Sequence, residues 1–441
     1  MLTENKGQAT TLNPVKLLQD LISFDTTNPP GNEDECIRYL YKLLTDAGIE
    51  TKILGKDASR TNLIARLKGA GSARPFLMYG HIDVVTTEDQ KWSHSPFSGT
   101  IADSCIYGRG ALDMKGAVVM MVCALIKMKA SKLNPPGDII LCIVGDEEVD
   151  GTYGAKYIVE EYGDLFSDVK YAIGEIGGFT MYIGGKKFYP IMVAEKQRCC
   201  LKAVIKGPGG HGSLPMNGGA MAKLGSILNI LDKRKLPVHV TPPAKMMITE
   251  LAKHLDFPAG MLLKGLTNSA ACDTILKFLG DKGKFFNPIL HNTVNATIVK
   301  GGNKINVIPS EITLELDGRI LPGYKVDDII SELKSLIGNL SELEVTSYDQ
   351  GPLSVNLGMF NTLAEILKED DKDGIPIPFV ISGVTDARFF SKLGIQTYGF
   401  TPMLLPKDID FSKLIHNADE RIPVGAVEFG INAIFKLLQR L

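Results

Sequence analysis

The 441-residue sequence has almost no net charge, because 48 Lys and Arg residues oppose 50 Asp and Glu residues and leave a net charge of -2. No global electrostatic field therefore exists to attract nucleic acid or an anionic membrane, and a small molecule is the expected partner. The chain lacks the roughly 18 uninterrupted apolar residues of a membrane span. Its polar N-terminus, residues 1–13, lacks the apolar core of a signal peptide. We expect a soluble protein that the usual signal does not export.

Cysteine is sparse: the seven cysteines, an odd number, form no Cys-x-x-Cys motif. This pattern is typical of reduced thiols in the cytosol. The sequence also has no Gly-x-x-x-x-Gly-Lys-Ser/Thr loop, which argues against a phosphate-handling metalloenzyme. What the chain does have is 44% hydrophobic residues and a length that exceeds one ordinary compact unit. We therefore expect two domains.

Short apolar runs, each followed by a helical stretch, recur at residues 76–79, 139–144 and 171–173. Strands that alternate with helices predict a mostly parallel sheet flanked by helices, which is an α/β fold. From Cys199 onward polar and apolar residues alternate instead, and the alternation returns at residues 294–298 and 312–316. This pattern is typical of strands with one face exposed to solvent. We therefore predict a discontinuous domain of residues 1–196 and 317–441, interrupted by an inserted α+β domain of residues 197–316.

Acidic and histidine side chains follow the predicted parallel strands. The first strand ends in His81, the second is followed by Glu147 and Glu148, the third by Glu175, and Asp113 closes a glycine-rich loop between the first two. Taken singly, each has an ordinary explanation as a strand-end histidine, a helix cap or a solvated acid. Together they would meet at the carboxyl edge of the sheet, where ligands bind. Crowded acids are unfavourable there unless a cation compensates them.

The types of these side chains indicate which cation would bind. Imidazole and carboxylate without thiolate suit zinc, manganese or cobalt better than copper or an iron–sulfur cluster. A metal-binding imidazole needs an acceptor for its second nitrogen, and Asp83 is well placed to serve His81 in this way. The carboxylate of Asp113 fits a bridge between two ions.

The same motifs resemble those of the zinc-dependent aminoacylases, carboxypeptidases and desuccinylases of peptidase family M20. Residues 81–83 look like the first ligand motif of that family, residues 110–116 like its bridging-aspartate motif and residues 146–148 like its acidic motif. Residues 414–420 resemble its C-terminal ligand motif, with Asn417 where glycine is frequent. The resemblance covers nearly the whole chain in the same order. It implies a catalytic domain with an inserted lid domain that forms a homodimer.

The resemblance also implies two bound divalent metal ions, foremost zinc, with cobalt or manganese as alternatives. The implied ligands are His81 and Glu175 for one ion, Glu148 and His416 for the other, and Asp113 for both. Asp83 would orient His81, and Glu147 would be the general base. Two cations would acidify a shared water, Glu147 would take its proton, and the hydroxide would attack an amide carbonyl.

Further positions match by resemblance, both in the inserted domain and after it. Residues 207–215 are similar to the lid histidine motif, so His211 would reach the active site of the partner subunit and stabilise the developing oxyanion. Three further positions resemble those that bind the substrate carboxylate in this family, namely Asn306, Arg319 and Arg388. The alternatives are that the hairpin needs no histidine at 211 and that the two arginines form surface ion pairs.

The substrate class follows from the segments that vary within the family. Residues 175–178 and the long segment 237–288 resemble those of carboxypeptidase S-like members. We therefore expect an N-acyl amino acid or a short peptide with a free carboxylate. A narrow succinyl-diaminopimelate desuccinylase or acetylornithine deacetylase is one alternative, and a non-catalytic relative that binds amino acids or peptides is another.

Overall fold

A computed structural model describes residues 12–352 and 354–441. Most of the polar N-terminal segment, predicted to carry no signal peptide, lies outside the described residues. The helices of the described chain are α1 Pro14–Ser23, α2 Asp34–Asp46, α3 Lys115–Ala130, α4 Ala155–Tyr162, α5 Ala220–Lys233, α6 Pro242–His254, α7 Ala259–Gly265, α8 Ser269–Leu279, α9 Asn287–Leu290, α10 Val326–Ile337, α11 Phe360–Asp370, α12 Ala387–Ser391, α13 Phe411–Leu414 and α14 Val424–Leu438.

The strands of the described chain are β1 Glu50–Gly55, β2 Thr61–Leu67, β3 Phe76–His81, β4 Ile101–Ala102, β5 Cys105–Tyr107, β6 Ile139–Val144, β7 Tyr171–Gly174, β8 Met181–Ile183, β9 Lys186–Glu195, β10 Gln197–Lys206, β11 Gly210–His211, β12 Thr293–Lys300, β13 Val307–Ile308, β14 Glu311–Ile320, β15 Glu342–Tyr348, β16 Ile375–Ile381, β17 Gln396–Gly399 and β18 Arg421–Pro423. No helix in the described part of the chain is both long enough and apolar enough to span a bilayer.

The chain forms two compact units. The first runs to Ile191 and includes Met359–Pro376 and Thr397–Leu441, and the second comprises Met192–Gly358 and Ile377–Gln396. The predicted limits of the inserted domain, residues 197–316, stay a prediction.

The large sheet has the strand order β1-β2-β6-β3-β7-β17-β9-β16, with β8 paired to β9. The boundary between the two units falls within β9, β16 and β17. At the centre, β3 runs parallel to both β6 and β7, with His81 opposite Val144 and Met78 opposite Ile173. At one edge β1 and β2 are antiparallel. The α/β fold with a mostly parallel central sheet flanked by helices is confirmed.

The burial of β3, β6 and α3 explains their sequences. Every residue of β3 and of β6 is buried, which is why both read as unbroken apolar runs without alternation. Helix α3 is buried on nearly all sides from Lys115 to Leu125 and packs against α14 and β3. A helix so covered needs no polar face. The apolar stretch after Asp113 predicts a helix from about residue 115 to 130, and α3 has this span.

The second unit contains an antiparallel sheet of order β12-β14-β10-β15. Burial alternates along β14, with Ile312, Leu314 and Leu316 on the covered face. That face forms a core with residues of α5 and α10, among them Ile227 and Leu333. The alternation therefore reflects one helix-covered face and one solvated face. Helices α6, α7 and α8 lie within the long segment 237–288, and α9 begins at its end.

Candidate metal centre

Parallel pairing brings the ends of three strands to one edge of the sheet in the first unit. β3 ends at His81, and its partner in register, Val144, ends β6. Glu147 and Glu148 follow β6 after a short loop, and Glu175 comes directly after β7. Residues that are far apart in sequence therefore converge because neighbouring parallel strands end together.

One group of donor atoms forms around His81. Its Nε2 lies 3.2 Å from Oδ1 of Asp113 and 3.6 Å from Oε2 of Glu175. Oε2 of Glu147 lies 4.0 Å from the same nitrogen. His81, Asp113 and Glu175 each offer an atom within 4.8 Å of the others, a spacing that can hold a metal ion.

A second group of donor atoms forms around His416. Its Nε2 lies 3.2 Å from Oδ2 of Asp113 and 3.2 Å from Oε2 of Glu148. Asp113 therefore faces one group with Oδ1 and the other with Oδ2. All five residues predicted to bind metal lie in these two groups, and Asp113 is the member they share.

His416 differs from the other donors in exposure and backbone. It follows α13 on a loop, has a φ of 62°, and its side chain is 49% exposed, whereas that of His81 is 1% exposed. A left-handed backbone is uncommon for residues other than glycine. The position of this donor therefore depends on the loop that carries it.

The electrostatics of the site are those of crowded carboxylates that share two imidazoles. Hydrogen bonds to Asp113 and Glu148 raise the pKa of His416 to about 10. Burial by itself lowers the pKa of His81, yet hydrogen bonds to Asp113, Asp83 and Glu175 hold it well above its usual range. Burial and the neighbouring charge of Asp113 raise the pKa of Glu148 to about 7. Burial also opposes ionisation of Asp113, but both imidazoles lower its pKa below the ordinary value. The acids thus draw positive charge to the site.

This donor set fits two divalent cations. Imidazole nitrogen and carboxylate oxygen are the ligands of zinc-type sites. Oε1 of Glu175 is buried and has no hydrogen-bond partner among the described residues, although its other oxygen faces His81. A buried carboxylate oxygen without a partner is costly, and a bound cation would satisfy it. The residues that would hold the ions are the five predicted ligands.

Asp83 fixes both the histidine and the acidic motif. Its Oδ1 lies 3.4 Å from Nδ1 of His81, which also lies 3.0 Å from the backbone oxygen of Asp83. The carboxylate accepts the backbone N–H groups of Glu147 at 3.2 Å and Glu148 at 3.1 Å. The buried amide of Asn28 donates to Asp83 at 2.9 Å. The predicted link from Asp83 to His81 is therefore one of several contacts made by this carboxylate.

Sequence reasoning missed Asn28 and Arg60. The Asn28 amide also donates to Asp146, 3.0 Å away, and the Arg60 guanidinium donates to the same carboxylate oxygen at 2.9 Å. Arg60 also pairs with the fully buried Glu33 at 2.8 Å. The first carboxylate of the acidic motif is thus occupied by structural contacts. No spacing in the sequence links residues 28 and 60 to residue 146, so no local signal could have found them.

The remaining predicted site residues lie in the second unit. β11, which contains His211, pairs with β13, and the N–H of Gly212 donates to the backbone oxygen of Asn306 at 2.8 Å. The structure therefore places the histidine hairpin beside Asn306. Arg319 on β14 forms two bonds to Asp317, at 2.7 and 3.0 Å. Arg388 on α12 is buried, and its Nε and Nη2 have no hydrogen-bond partner among the described residues.

Comparison with known proteins identifies the family. A family model described as Peptidase family M20/M25/M40 matches residues 77–440. Human N-fatty-acyl-amino acid synthase/hydrolase PM20D1 is 29% identical over 382 residues, which cover 83% of this chain and 74% of the human protein. The Staphylococcus aureus protein named probable succinyl-diaminopimelate desuccinylase is 28% identical over 391 residues, 85% of each chain. The Dictyostelium discoideum protein named probable carboxypeptidase S-like 2 is 26% identical over 445 residues, 94% of this chain and 83% of that protein.

Solved structures show the same fold at lower identity. The M20 family metallo-carboxypeptidase of Sulfolobus solfataricus aligns with a TM-score of 0.69 at 19% identity, covering 97% of this chain and 98% of that one. A dinuclear metal-binding peptidase of the M20 family from Bacillus subtilis aligns with a TM-score of 0.59 at 14% identity, covering 97% of each. At these identities the likeness establishes the architecture of the chain and leaves its substrate open.

Proposed function

The chain belongs to peptidase family M20/M25/M40, a family of hydrolases, and on that premise we propose that it hydrolyses an amide bond in N-acyl amino acids or short peptides with a free carboxylate. We propose that it does so with two divalent metal ions, foremost zinc. The observation that carries the proposal is the position of Asp113, whose two oxygens face two separate groups of donors. Asp113 is thus able to bridge a pair of ions.

Each group of residues has a separate task in this proposal. When bound, a pair of divalent ions acidifies water and polarises a carbonyl oxygen. The Glu147 carboxylate, 4.0 Å from the His81 imidazole, accepts a proton from the attacking water and passes it to the leaving amine. Asp83 keeps the His81 ring oriented and holds the backbone of Glu147 in place.

Arg388 supports the part of the proposal that concerns a free carboxylate. A buried guanidinium with two nitrogens that have no hydrogen-bond partner among the described residues retains donors for a carboxylate ligand. Asp349, the acid near it, lies 3.8 Å from Nε, beyond a hydrogen bond. Arg319 is already bonded to Asp317, which makes it the weaker candidate. We assign the carboxylate contact foremost to Arg388, with Asn306 and Arg319 as further members.

His211 and the dimer belong to the same proposal. The His211 side chain is exposed, and the bonds it makes to described residues are local, to Ser213 at 2.7 Å. We propose that its imidazole stabilises the oxyanion in the active site of a partner subunit. This can be tested by mixing His211→Ala subunits with Glu147→Gln subunits, since recovery of activity requires that one subunit supplies the base and the other the histidine.

We also propose a cytosolic location, in keeping with seven free cysteines.

The hydrolysis itself is tested with a substrate panel. N-acetyl, N-acyl and N-succinyl amino acids and dipeptides are incubated with purified protein and added zinc, cobalt or manganese, and released amine is measured. We expect release from N-acyl amino acids or dipeptides and none from analogues whose carboxylate is amidated. Turnover confined to succinyl-diaminopimelate or acetylornithine would replace the broad proposal by a narrow deacylase. Binding without turnover would indicate a non-catalytic relative, and metal content near zero after reconstitution would overturn the two-ion site.

A further inference from the structure

Glu420 is a buried carboxylate that organises the loop carrying Asp113. Its relative exposure is 0%. Its Oε1 accepts the backbone N–H groups of Leu112 at 2.7 Å and Asp113 at 3.0 Å, and its Oε2 accepts that of Gly110 at 3.1 Å. One side chain therefore satisfies three backbone donors of a loop more than 300 residues earlier in the chain. No role for Glu420 follows from the proposed ligand set.

Arg109 extends this arrangement toward the loop carrying His416. The guanidinium, 1% exposed, lies 2.7 Å from Oε2 of Glu420 and donates to the backbone oxygen of Asn417 at 3.2 Å. Its other terminal nitrogen donates to Oε1 of Gln90 at 2.8 Å. A planar guanidinium holds such partners in fixed directions, which an ammonium could not reproduce.

Gln90 closes the connection at the exposed ligand. Its amide nitrogen donates to the backbone oxygen of His416 at 2.8 Å. Trp92 contacts both neighbours: its indole N–H donates to Oε1 of Gln90 at 3.2 Å, and the Arg109 guanidinium lies 5.1 Å from the centre of its ring. The half-exposed His416 is thus connected through Gln90 and Arg109 to the fully buried Glu420.

We propose that Glu420, Arg109 and Gln90 form a positioning anchor that sets the affinity of the metal position held by Glu148 and His416. The inference rests on the proposed two-ion function. The anchor contacts the backbone of Asp113 and the His416 loop and makes no described bond to His81 or Glu175. The contacts of Gln90 and Arg109 reach the His416 loop alone, whereas the contact of Glu420 with Asp113 bears on both positions. Loss of the anchor therefore weakens the His416 position more than the other position.

The test is a cobalt titration of the metal-free full-length protein, followed by absorption and by competition with a chelator. His416→Ala identifies the binding step that belongs to His416. In Glu420→Gln a donor amide faces backbone donors, and Gln90→Ala removes the bond to His416. For both we expect the affinity of that step to fall about 10- to 100-fold, the usual effect of removing a partner of a metal ligand. The other step should be unchanged in Gln90→Ala and should fall less than the His416 step in Glu420→Gln, because Asp113 belongs to both positions.

Two controls match the chemistry of these changes. Gln19→Ala also removes an amide bond to a loop carbonyl, that of Gly99 at 2.8 Å, and Asp371→Asn alters a buried acid that accepts from Tyr189 at 2.8 Å. Neither should shift a binding step. If Glu420→Gln fails to fold, the partly exposed Gln90→Ala decides. The anchor would be overturned if both binding steps keep their wild-type affinity in Gln90→Ala and in folded Glu420→Gln. It would also be overturned if both steps lose affinity equally. Absence of binding by the wild type would instead overturn the proposed function.

Discussion

The backbones of Glu147 and Glu148 are held by the same carboxylate, but their side chains have different neighbours. Asp83 accepts the backbone N–H of each, so both are held at the end of β6. The Glu148 carboxylate then lies 3.2 Å from His416, within the second donor group, whereas the nearest approach of Glu147 to His81 is 4.0 Å. Neighbouring acids can therefore serve as ligand and base because the chain directs them to different sides of one site.

Substitution of Glu147 tests the assignment of the base. Glu147→Gln keeps the shape of the side chain and removes its ability to accept a proton, so we expect turnover to fall by about 10²- to 10⁴-fold. Metal content, measured by elemental analysis, should stay at the wild-type value. Glu160→Gln, an exposed position on α4, is the control and should retain full turnover. Wild-type turnover in Glu147→Gln would show that another group takes the proton.

Asn28 gives a second prediction for a single residue. Its buried amide bridges the carboxylates of Asp83 and Asp146, at 2.9 and 3.0 Å. Asn28→Ala removes a donor from both acids, so we expect the free energy of unfolding to fall by about 1–3 kcal/mol. Urea denaturation measures this change, with Asn32→Ala as the control because Asn32 is exposed. Equal midpoints for the two variants would mean that Asn28 does not hold the acids.

At the level of elements, β6 and α4 approach each other through glycine. A Cβ on Gly154, which precedes α4, would lie 1.7 Å from the backbone oxygen of Gly145, which follows β6. Backbone cannot yield as a flexible side chain does. The close approach sets the path of the segment with Glu147 and Glu148, so packing of these elements and the geometry of the site are linked.

Gly154→Ala should therefore destabilise the protein. We expect a loss of about 1–3 kcal/mol or more in the free energy of unfolding, as for other forced overpacking, together with reduced turnover. Gly425→Ala is the matched control: this glycine lies in α14, is exposed, and has no atom near the added Cβ. It should stabilise the helix by up to about 1 kcal/mol. Denaturation midpoints that move in the same direction would contradict the argument.

At the scale of the whole molecule, the proposed homodimer would use the edge of the sheet in the second unit. β12 is an edge strand in the order β12-β14-β10-β15, and Ile298 and Val299 on it are 46% and 51% exposed. An exposed apolar edge favours pairing with another chain. The two properties together make β12 the candidate surface.

Molar mass in solution tests this dimer. Light scattering after size exclusion should give twice the 47.9 kDa of the chain. Ile298→Lys should shift the mass toward the monomer, because charge on an edge opposes pairing. Ile101→Lys, which alters a residue of β4 with 50% exposure, should have no effect. A monomeric wild type would exclude the dimer and with it any role of His211 across subunits.

The sequence by itself determined the buried strands β3 and β6, helix α14 and the types of the donor side chains. Unbroken apolar runs predict β3 and β6 because both strands are buried throughout. An apolar stripe along residues 424–438 predicts α14 with Pro423 at its first position. The helix forms, but Pro423 precedes it as the N-cap. His81 and Glu175 were found because ends of parallel strands meet, a rule that needs no coordinates.

Only the tertiary structure decided which atoms of these residues meet. The assignment of Oδ1 and Oδ2 of Asp113 to separate donor groups, the Asn28 bridge and the three bonds to Glu420 join positions up to 310 residues apart. Such contacts depend on strand register and on how loops pack, and neither is encoded in local spacing. A buried polar group must find a partner, but which partner it finds is settled by the fold.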